Sequence, residues 1–216
     1  MEDILMLGIG GHAHSVVDSI EQNGIYNIIG FLDKEERQGE HFRDYQVIDT
    51  DAALGKYYDN GIRNAFITIG YMGKHTIREK LYCQLKEIGY TLPNVIDNSA
   101  IIASDVSLED GVFVGKRAII NANTYIGKMC IINTGAIIEH DCKVEAFSHI
   151  SVGSILCGGV HVGREAFVGA NAVVIQGKSV DDQCIVGAGA IVVKSINDKC
   201  TVINSNISRV LRGGVN

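Results

Sequence analysis

An aliphatic residue recurs at every sixth position from residue 102 to residue 192, without insertion or deletion. The sixteen positions are Ile102, Leu108, Val114, Ile120, Ile126, Ile132, Ile138, Val144, Ile150, Leu156, Val162, Val168, Val174, Val180, Val186 and Val192. The residue four places after each of them is usually small. A period of six fits neither an α-helix nor a coiled coil. It is typical of parallel β-helices, in which stacked coils of short strands bury a continuous aliphatic column.

The chain begins with a different pattern, that of a small α/β domain. An apolar run at residues 3–7 ends in Gly8-Ile9-Gly10-Gly11-His12-Ala13, and apolar residues then recur at helical spacing through residue 20. A second apolar run ends in Asp33. Strand, glycine turn, helix and strand together predict a βαβ unit with the G-x-G-x-x-A form of the dinucleotide-binding fingerprint. Glycines let the backbone approach a pyrophosphate, and free N–H groups at a helix start attract its charge.

A third strand and a second amphipathic helix complete the predicted first domain. Lys74, Arg78 and Lys80 put positive charge near the carboxyl ends of the strands, where open α/β sheets bind ligands. A solvated helix face explains these three residues equally well. The six-residue repeat begins soon after this helix, so we predict domains at residues 1–96 and 97–216.

Composition argues against several classes of function. A net charge of −6 and a pI near 5.6 disfavour a nucleic-acid partner, which would leave a basic footprint. The amino-terminal segment does not match a signal peptide, and no run of about 18 apolar residues occurs, so we expect a cytoplasmic protein without membrane insertion. The six cysteines show no CxxC spacing and are expected to be buried free thiols. No third ligand accompanies His12 and His14, so no metal is predicted.

The repeat units resemble those of the hexapeptide acyltransferase superfamily. The shared pattern is seen in Val114-Gly115-Lys116-Arg117-Ala118 and Val168-Gly169-Ala170-Asn171-Ala172. This resemblance implies a homotrimer and a left-handed β-helix, whose handedness the period alone does not fix. With the glycine motif of the first domain, the resemblance narrows to the NeuD/PglD-like group of sialic-acid O-acetyltransferases and bacillosamine N-acetyltransferases. We therefore expect a small Rossmann-like α/β domain followed by a left-handed parallel β-helix.

One local block carries the most specific part of this resemblance. It runs Asn133-Thr134-Gly135-Ala136-Ile137-Ile138-Glu139-His140-Asp141-Cys142 and continues in Phe147-Ser148-His149-Ile150-Ser151-Val152-Gly153. The match implies that His140 is the general base and that Asp141 orients or polarises its imidazole. It also implies supporting roles near the substrate for Asn133 and Glu139.

The same resemblance implies that acetyl-CoA is the cosubstrate. His149 would help to position it, the backbone N–H of Gly158 would face the thioester carbonyl, and Ala188 would lie in the cofactor groove. An imidazole, with an ordinary pKa of about 6.5, can take the proton that an ammonium group must lose, typically contributing about 10²–10⁴ in rate. A backbone N–H facing the developing oxyanion contributes about 3 kcal/mol. A cysteine nucleophile at Cys142 or Cys157 is the alternative, although both residues have a structural explanation in the repeat.

In the family that these motifs resemble, the first domain holds a nucleotide-linked sugar. The glycines and histidine of the motif would lie near the sugar or phosphates, and the acidic residue after the second strand near the nucleoside. The expected contacts are Gly10, Gly11, His12, Asp33, Lys34 and Arg78. Relatives commonly have a second acidic residue at the position of Lys34, which leaves the nucleotide open. The glycine motif alone would favour an NAD-dependent dehydrogenase, but the repeat begins where such an enzyme needs further strands or a catalytic domain.

We therefore predict an enzyme that transfers acetyl from acetyl-CoA to the amino group of a nucleotide-activated deoxysugar, with UDP as the expected nucleotide. Two alternatives remain open at this point. One is O-acetylation of a sugar such as sialic acid, and the other is a non-catalytic scaffold that binds nucleotide sugars. The tail at residues 204–216 lacks the Gly-x-Pro-Ala-Lys turn that shapes the CoA site in relatives, so the adenosine contacts stay unassigned.

Overall fold

The structure is a computed structural model that describes residues 1–71, 77–197 and 199–203. The predicted positive charge of Lys74 and the atypical tail at residues 204–216 lie outside these ranges. Within them, no helix combines the length and the apolar character needed to cross a membrane.

The first domain is a five-stranded sheet with helices packed against it. Its elements are β1 (Glu2–Leu7), α1 (Gly11–Asn23), β2 (Tyr26–Leu32), β3 (His41–Phe42), β4 (Tyr45–Asp49), α2 (Leu54–Asp59), β5 (Asn64–Ile67) and α3 (Ile77–Ile88), with 3₁₀ turns at Glu35–Arg37 and Asp51–Ala53. The strand order is β3-β4-β2-β1-β5, and only the β3–β4 pair is antiparallel. The predicted βαβ unit is confirmed as β1–α1–β2, and its glycine turn lies at the carboxyl edge of the parallel strands.

The second domain is a left-handed parallel β-helix with three faces. Face A contains β6 (Val95–Ile96), β9 (Phe113–Val114), β12 (Ile131–Ile132), β15 (His149–Ile150), β18 (Phe167–Val168), β21 (Ile185–Val186) and β23 (Thr201–Val202). Face B contains β7 (Ile101–Ile102), β10 (Ile119–Ile120), β13 (Ile137–Ile138), β16 (Ile155–Leu156), β19 (Val173–Val174) and β22 (Ile191–Val192). Face C contains β8 (Ser107–Leu108), β11 (Tyr125–Ile126), β14 (Lys143–Val144), β17 (His161–Val162) and β20 (Ser179–Val180). Tight turns join the faces along three edges, which we name AB, BC and CA.

Each full coil consists of three hexapeptides, so that Ile119 pairs with Ile137 one coil later. The β-helix begins at β6, which pairs with β9 and lies on the amino-terminal side of the predicted division at residue 97. Ile96 is in phase with the aliphatic column and extends it by one position. The last coil is shorter than the others, because β23 pairs with β21 at a smaller separation in sequence.

The aliphatic column fills the interior of the β-helix. From Val114 to Val186 its members are at most 1% exposed, and burying a Val, Leu or Ile side chain stabilises a fold by about 1.5–3 kcal/mol. The second residue of each turn often has a positive φ even when it is not glycine, as at Asn123 (56°) and Asp141 (60°). Asparagine and aspartate tolerate this left-handed conformation better than most residues. The turns therefore direct polar side chains outward along the edges.

Face A packs against the first domain and fixes the two domains together. Its outward residues Phe113 and Ile131 share a buried cluster with the apolar side of α1. Ser19 on α1 and Lys116 on the β-helix both donate to the buried carboxylate of Asp97, at 2.8 and 3.0 Å. Burial alone would raise the pKa of Asp97, but hydrogen bonds from Ser99, Lys116 and Ser19 hold it well below its usual range. This contact holds α1, and the glycine loop before it, against the edge of the β-helix.

Candidate active site

His140 lies on edge BC, and its side chain is 55% exposed. Its Nδ1 is 2.7 Å from Oδ2 of Asp141. Because an ionised carboxylate can only accept hydrogen bonds, Nδ1 carries the proton of the neutral ring and donates a hydrogen bond to Asp141. The lone pair of Nε2 is then free to take a proton from a substrate. This is the arrangement that general base catalysis requires of an imidazole.

Asn123 holds the other oxygen of the Asp141 carboxylate. It lies one coil before Asp141 on the same edge, and its Nδ2 donates to Oδ1 at 2.6 Å. Hydrogen bonds from Asn123 and His140 lower the pKa of Asp141, so the carboxylate is ionised at neutral pH. The sequence-based prediction missed Asn123. The 18-residue coil could have located it, since it precedes Asp141 by one complete coil.

Gly158 lies one coil after His140, and the imidazole ring covers its backbone. A Cβ added at Gly158 would be 2.7 Å from both Cε1 and Nε2 of His140. At the same turn position some backbone N–H groups donate to a side-chain oxygen, as Lys128 does to Glu109 at 2.9 Å, whereas others, such as those of Ala122 and Gln176, have no acceptor among the described residues. In the described part of the chain, no acceptor is found for the N–H of Gly158. A free backbone donor thus adjoins the proposed base, as an oxyanion site requires.

A second group of predicted residues lies on edge AB, where the β-helix meets the start of α1. A cavity of about 580 Å³ separates the two domains there. Its lining combines the first turn of α1, the segment after β5 and two turns of edge AB. The lining residues are Gly11, His12, Ser15, Gly70, Tyr71, Asn133, Thr134, His149 and Val152.

His149 forms the floor of this cavity in its neutral state. Its Nδ1–H donates to the carbonyl of Tyr71 at 2.5 Å, and Nε2 accepts a hydrogen bond from Nδ2 of Asn133 at 3.2 Å. Burial, together with the positive charge of Arg78, lowers the pKa of His149 to about 4, although the hydrogen bond to Tyr71 opposes the shift. Both ring nitrogens are engaged within the protein. His149 therefore shapes the cavity and fixes the amide of Asn133.

His12 lies on the opposite wall and is also neutral. Burial, followed by the charges of Arg78 and His149, lowers the pKa of His12 to about 3. Its ring packs edge-on against Phe113, with 5.0 Å between the ring centroids. Nε2 is buried and has no hydrogen-bond partner among the described residues. A buried polar atom without a partner is costly, so a ligand or a water molecule is expected to satisfy it.

Because His149 and His12 are buried in the neutral state, we expect the protein to lose stability in mild acid. In the unfolded chain each imidazole takes up a proton as the pH falls through about 6.5, whereas His149 and His12 resist protonation down to about pH 4 and 3. As the pH falls from 6.5 towards 4, the free energy of unfolding should decrease by up to about 1.4 kcal/mol per pH unit for each histidine. Urea unfolding at pH 7.5 and 5.5 measures this change.

A His149→Gln variant should lose part of this pH dependence. The exposed His41 is the control, because a His41→Gln variant removes a histidine without changing the buried pair. Equal stability of the unsubstituted protein at the two pH values would contradict the prediction. Carboxylates with lowered pKa values, such as Asp97, lose their contribution to the free energy of unfolding only at more acidic pH. They therefore do not affect the comparison between pH 7.5 and pH 5.5.

The predicted glycines divide into structural and ligand-facing positions. Gly8 has φ +96°, and a Cβ there would be 2.6 Å from the side chain of Ile69, so packing alone explains it. By contrast, a Cβ at Gly10 or Gly11 would meet nothing within 4 Å. Gly10 is the N-cap of α1, and because glycine has no side chain, no cap hydrogen bond is made to the N–H groups at the start of the helix. The first N–H groups of α1 are therefore left open towards the cavity, which favours an anionic ligand.

Asp33 and Lys34 are placed beside the glycine loop rather than in the cavity lining. Oδ2 of Asp33 accepts from the N–H of Ile9 at 2.8 Å and lies 3.5 Å from the guanidinium of Arg37. Its Oδ1 accepts from the N–H of Lys34 at 2.7 Å. The side chain of Lys34 is exposed. Oδ2 of Asp33 thus holds the glycine loop at Ile9 and Oδ1 holds the backbone of Lys34, and a nucleoside contact would use the remaining lone pairs.

Arg78 is not among the residues that line the cavity, and its predicted contact with a substrate stays a prediction. It is 3% exposed, and its guanidinium donates to the carbonyls of Met129 and Phe147 on edge CA. The spacing of α3 explains this placement, because Arg78 lies on the same helical face as the buried Leu81 and Leu85. Its role in the structure is to join α3 to the β-helix.

The two remaining predicted residues, Glu139 and Ala188, lie on different edges of the β-helix. Glu139 precedes His140 in its turn on edge BC and is half-buried, whereas Ala188 is exposed on edge AB. Strand β13 separates the turn of Asn133 from the turn of His140. The base and the cavity therefore lie on opposite edges of face B within one chain. In the sequence, Asn133, Glu139 and His140 belong to one continuous block.

The thiol of Cys142, close to the proposed base in the sequence, is engaged within the β-helix. Sγ of Cys142 donates to the carbonyl of Cys157 at 3.2 Å, and burial raises the pKa of Cys142. A raised pKa disfavours the thiolate that a nucleophile needs. Among the described residues, no group of three or more His, Cys, Asp or Glu side chains could hold a metal ion. His12 and His14 lie apart, since His14 stacks on Phe42.

Comparison with known proteins identifies the family. The profile of the PglD N-terminal domain matches residues 3–85, and the profile of the hexapeptide repeat of succinyl-transferase matches residues 118–146 and 153–194. A variant of GDP-perosamine N-acetyltransferase from Caulobacter crescentus, solved with CoA and GDP-perosamine, is 34% identical to this chain. The match covers 94% of each chain, with a TM-score of 0.89. The chain belongs to the PglD-like sugar acetyltransferases.

Other sugar acetyltransferases share the same architecture. The acetyltransferase domain of PglB from Neisseria gonorrhoeae FA1090, solved with acetyl coenzyme A, is 27% identical. Here the match covers 94% of this chain and 96% of the other, with a TM-score of 0.85. The α/β domain and the left-handed β-helix therefore form one unit that recurs across the family, as the sequence motifs predicted.

Proposed function

We propose that this sugar acetyltransferase transfers the acetyl group of acetyl-CoA to the amino group of a nucleotide-linked deoxysugar, with His140 as the general base. The observation that carries this proposal is the arrangement on edge BC, where the free Nε2 of His140 adjoins the backbone N–H of Gly158. The similarity to an enzyme solved with CoA and GDP-perosamine supports both the thioester donor and the amino-sugar acceptor.

The residues on edge BC account for each proton in the reaction. Nε2 of His140 takes a proton from the ammonium group, and the resulting amine attacks the thioester carbonyl carbon. The new C–N bond leaves the carbonyl oxygen negative, and the N–H of Gly158 donates to it. When this intermediate collapses, the C–S bond breaks and the thiolate of CoA leaves. The nitrogen then loses its second surplus proton to the thiolate, and the proton on Nε2 of His140 is released to solvent, which restores the base. The acetyl group passes directly from sulfur to nitrogen, so no acyl-enzyme forms.

The cavity at the start of α1 is the proposed site for the nucleotide-linked sugar. The open N–H groups at Gly11 and the following residue suit a diphosphate. The side chains of His12 and Asn133 supply neutral polar contacts for hydroxyl groups. Val152, which is 46% exposed, presents an apolar surface that suits the methyl group of a deoxysugar.

Because base and cavity lie on opposite edges of face B, we propose that a neighbouring copy completes the site. The outward positions of face B form an aliphatic column, unlike the mixed polar column of face C. The column consists of Ile101, Ile119, Ile137, Ile155, Val173 and Ile191. Contact along it in a trimer would place the cavity of one subunit beside His140 of the next, as a head-to-tail ring with three-fold symmetry allows.

A charge on face B should therefore abolish both assembly and activity. We expect an Ile155→Lys variant to have the mass of a monomer by light scattering and to lose at least about 100-fold in kcat/KM, because the reacting groups are no longer positioned. Ser107→Lys, at an outward position of face C, is the matched control and should remain trimeric and active. A trimeric and active Ile155→Lys protein would show that face B is not the interface.

A substrate panel tests the acceptor class and the nucleotide. Purified protein is assayed for CoA release with acetyl-CoA and amino-deoxysugars linked to UDP, GDP or dTDP, and with sialic acid. We expect activity with an amino sugar linked to one nucleotide. The sequence-based preference for UDP and the GDP-linked ligand of the Caulobacter crescentus relative make these two the first to compare. Preference for a hydroxyl sugar would indicate an O-acetyltransferase, and failure to bind CoA would favour a non-catalytic scaffold.

A further inference from the structure

A polar ladder runs along edge BC and ends at the proposed base. Asp105, Asn123 and Asp141 occupy the same turn position in three successive coils. Oδ2 of Asp105 accepts from the backbone N–H of Asn123 at 3.1 Å, and the side-chain amide of Asn123 donates to Oδ1 of Asp141 at 2.6 Å. Asn123 and Asp141 are thus each held by the residue one coil earlier.

The ladder divides the two oxygens of one carboxylate between two donors. Oδ1 of Asp141 is held by Asn123, and only Oδ2 remains for Nδ1–H of His140 at 2.7 Å. Without the amide, the exposed carboxylate could rotate about its terminal bond and release the ring. The backbone N–H of Asp141 donates to the carbonyl of Ala122 at 3.0 Å, which fixes the turn itself. The side chain of Asn123 therefore orients the carboxylate of Asp141, while the backbone hydrogen bond maintains the fold of the turn.

We propose that Asn123 is a positioning residue for catalysis, whose amide orients Asp141 and thereby directs Nε2 of His140 towards the acceptor. This inference rests on the proposed function, because it assumes that His140 is the base. Its effect should appear in kcat, since Asn123 lies outside the cavity lining. A comparable pair on edge CA serves as a control for substitution at Asn123. There, Nε2 of Gln183 donates at 2.8 Å to Glu165, which lies one coil earlier.

Two substitutions test the positioning role. Asn123→Leu removes the donor, and we expect kcat to fall about tenfold, as loss of a hydrogen bond to a charged group allows, with the KM values of both substrates within about twofold. Asn123→Asp is nearly isosteric but adds a charge. Its second carboxylate should favour the imidazolium form and move the acid limb of the kcat/KM profile about half a pH unit higher. Gln183→Leu and Gln183→Glu are the controls and should change neither quantity.

The pH profile must be interpreted with every titratable group on the neighbouring turns. These groups are Glu139 and Asp141 in the turn of His140, Asp105 two coils earlier and Cys157 one coil later. The Asn123→Asp substitution changes the surroundings of Asp141, because it removes the amide that lowers the pKa of Asp141 and adds a carboxylate beside it. Glu139, Asp105 and Cys157 are not substituted. A shift of the acid limb that occurs in Asn123→Asp but not in Gln183→Glu therefore arises from the side chain at position 123 and its effect on Asp141 and His140.

The outcomes distinguish this inference from the proposed function. If the His140→Ala protein is inactive but the Asn123 variants behave like the Gln183 variants, the positioning role is wrong and the base assignment stands. If the His140→Ala protein is fully active, both are wrong. Should Asn123→Leu not fold, the pH profile of Asn123→Asp decides, and an unshifted acid limb overturns the proposal.

Discussion

Replacing His140 by alanine should reduce kcat by about 10²–10⁴-fold while leaving the fold unchanged. The side chain is more than half exposed. Among the described residues it forms a side-chain hydrogen bond with Asp141 alone, which is equally exposed, so its loss removes little buried contact. The KM for acetyl-CoA should change little, because the ring acts on the proton of the acceptor. Steady-state kinetics with the best acceptor of the panel, together with thermal unfolding, measure both effects.

The pH dependence of the His140→Ala protein gives a sharper result. An amine acceptor loses its own proton as the pH rises, so the rate of this variant should climb steeply above neutral pH and partly approach that of the unsubstituted enzyme. A hydroxyl acceptor has no such proton to lose in this range and should show no recovery. His161→Ala, at an exposed position on face C, is the control. Full activity of His140→Ala at pH 7 would exclude the base assignment.

The period of six predicted most of the second domain because each position of the hexapeptide has a fixed environment. The aliphatic position points inward, the small residue fits beneath the next corner, and the coil repeats without drift. Ile96 fits this phase, so the period could also have located β6, the first strand of the β-helix. The shortened last coil could not be predicted, because the phase stops at Val192 and only the pairing of β23 with β21 shows how the chain continues.

The sequence motif predicts which residue types form the candidate site, but it does not give their positions on the β-helix. It predicts His140 as the base and a supporting role near the substrate for Asn133, seven residues earlier, and both assignments stay predictions. One strand and one turn of the triangular coil separate the two residues, so the sequence separation places them on different edges. Arg78 shows the opposite case, since its spacing from Leu81 and Leu85 places it on the buried face of α3. Its positive charge favoured a ligand contact, while the periodicity already indicated burial.

Gly158→Ala should be nearly as damaging as loss of the base, because the new methyl group would occupy the space of the imidazole. The added Cβ would lie 2.7 Å from Cε1 and Nε2 of His140, well inside contact distance. Backbone strain is not the cause, since His140 and Gln176 carry side chains at the same turn position in the two adjacent coils. We expect the ring to swing away and kcat to fall about 100-fold, the size of effect that a small misplacement of a catalytic group produces.

A double-mutant cycle separates this steric effect from a general disturbance of the turn. When His140 is already alanine, the ring is gone, so adding Gly158→Ala should change the residual activity less than about threefold. The two substitutions should then be coupled by about 2 kcal/mol, as expected for residues in direct contact. Gly55→Ala in α2, where a Cβ meets nothing within 4 Å, controls for glycine replacement as such. Additive losses would mean that Gly158 acts independently of the ring, through its N–H alone, and full activity of Gly158→Ala would mean that the ring leaves this position during catalysis.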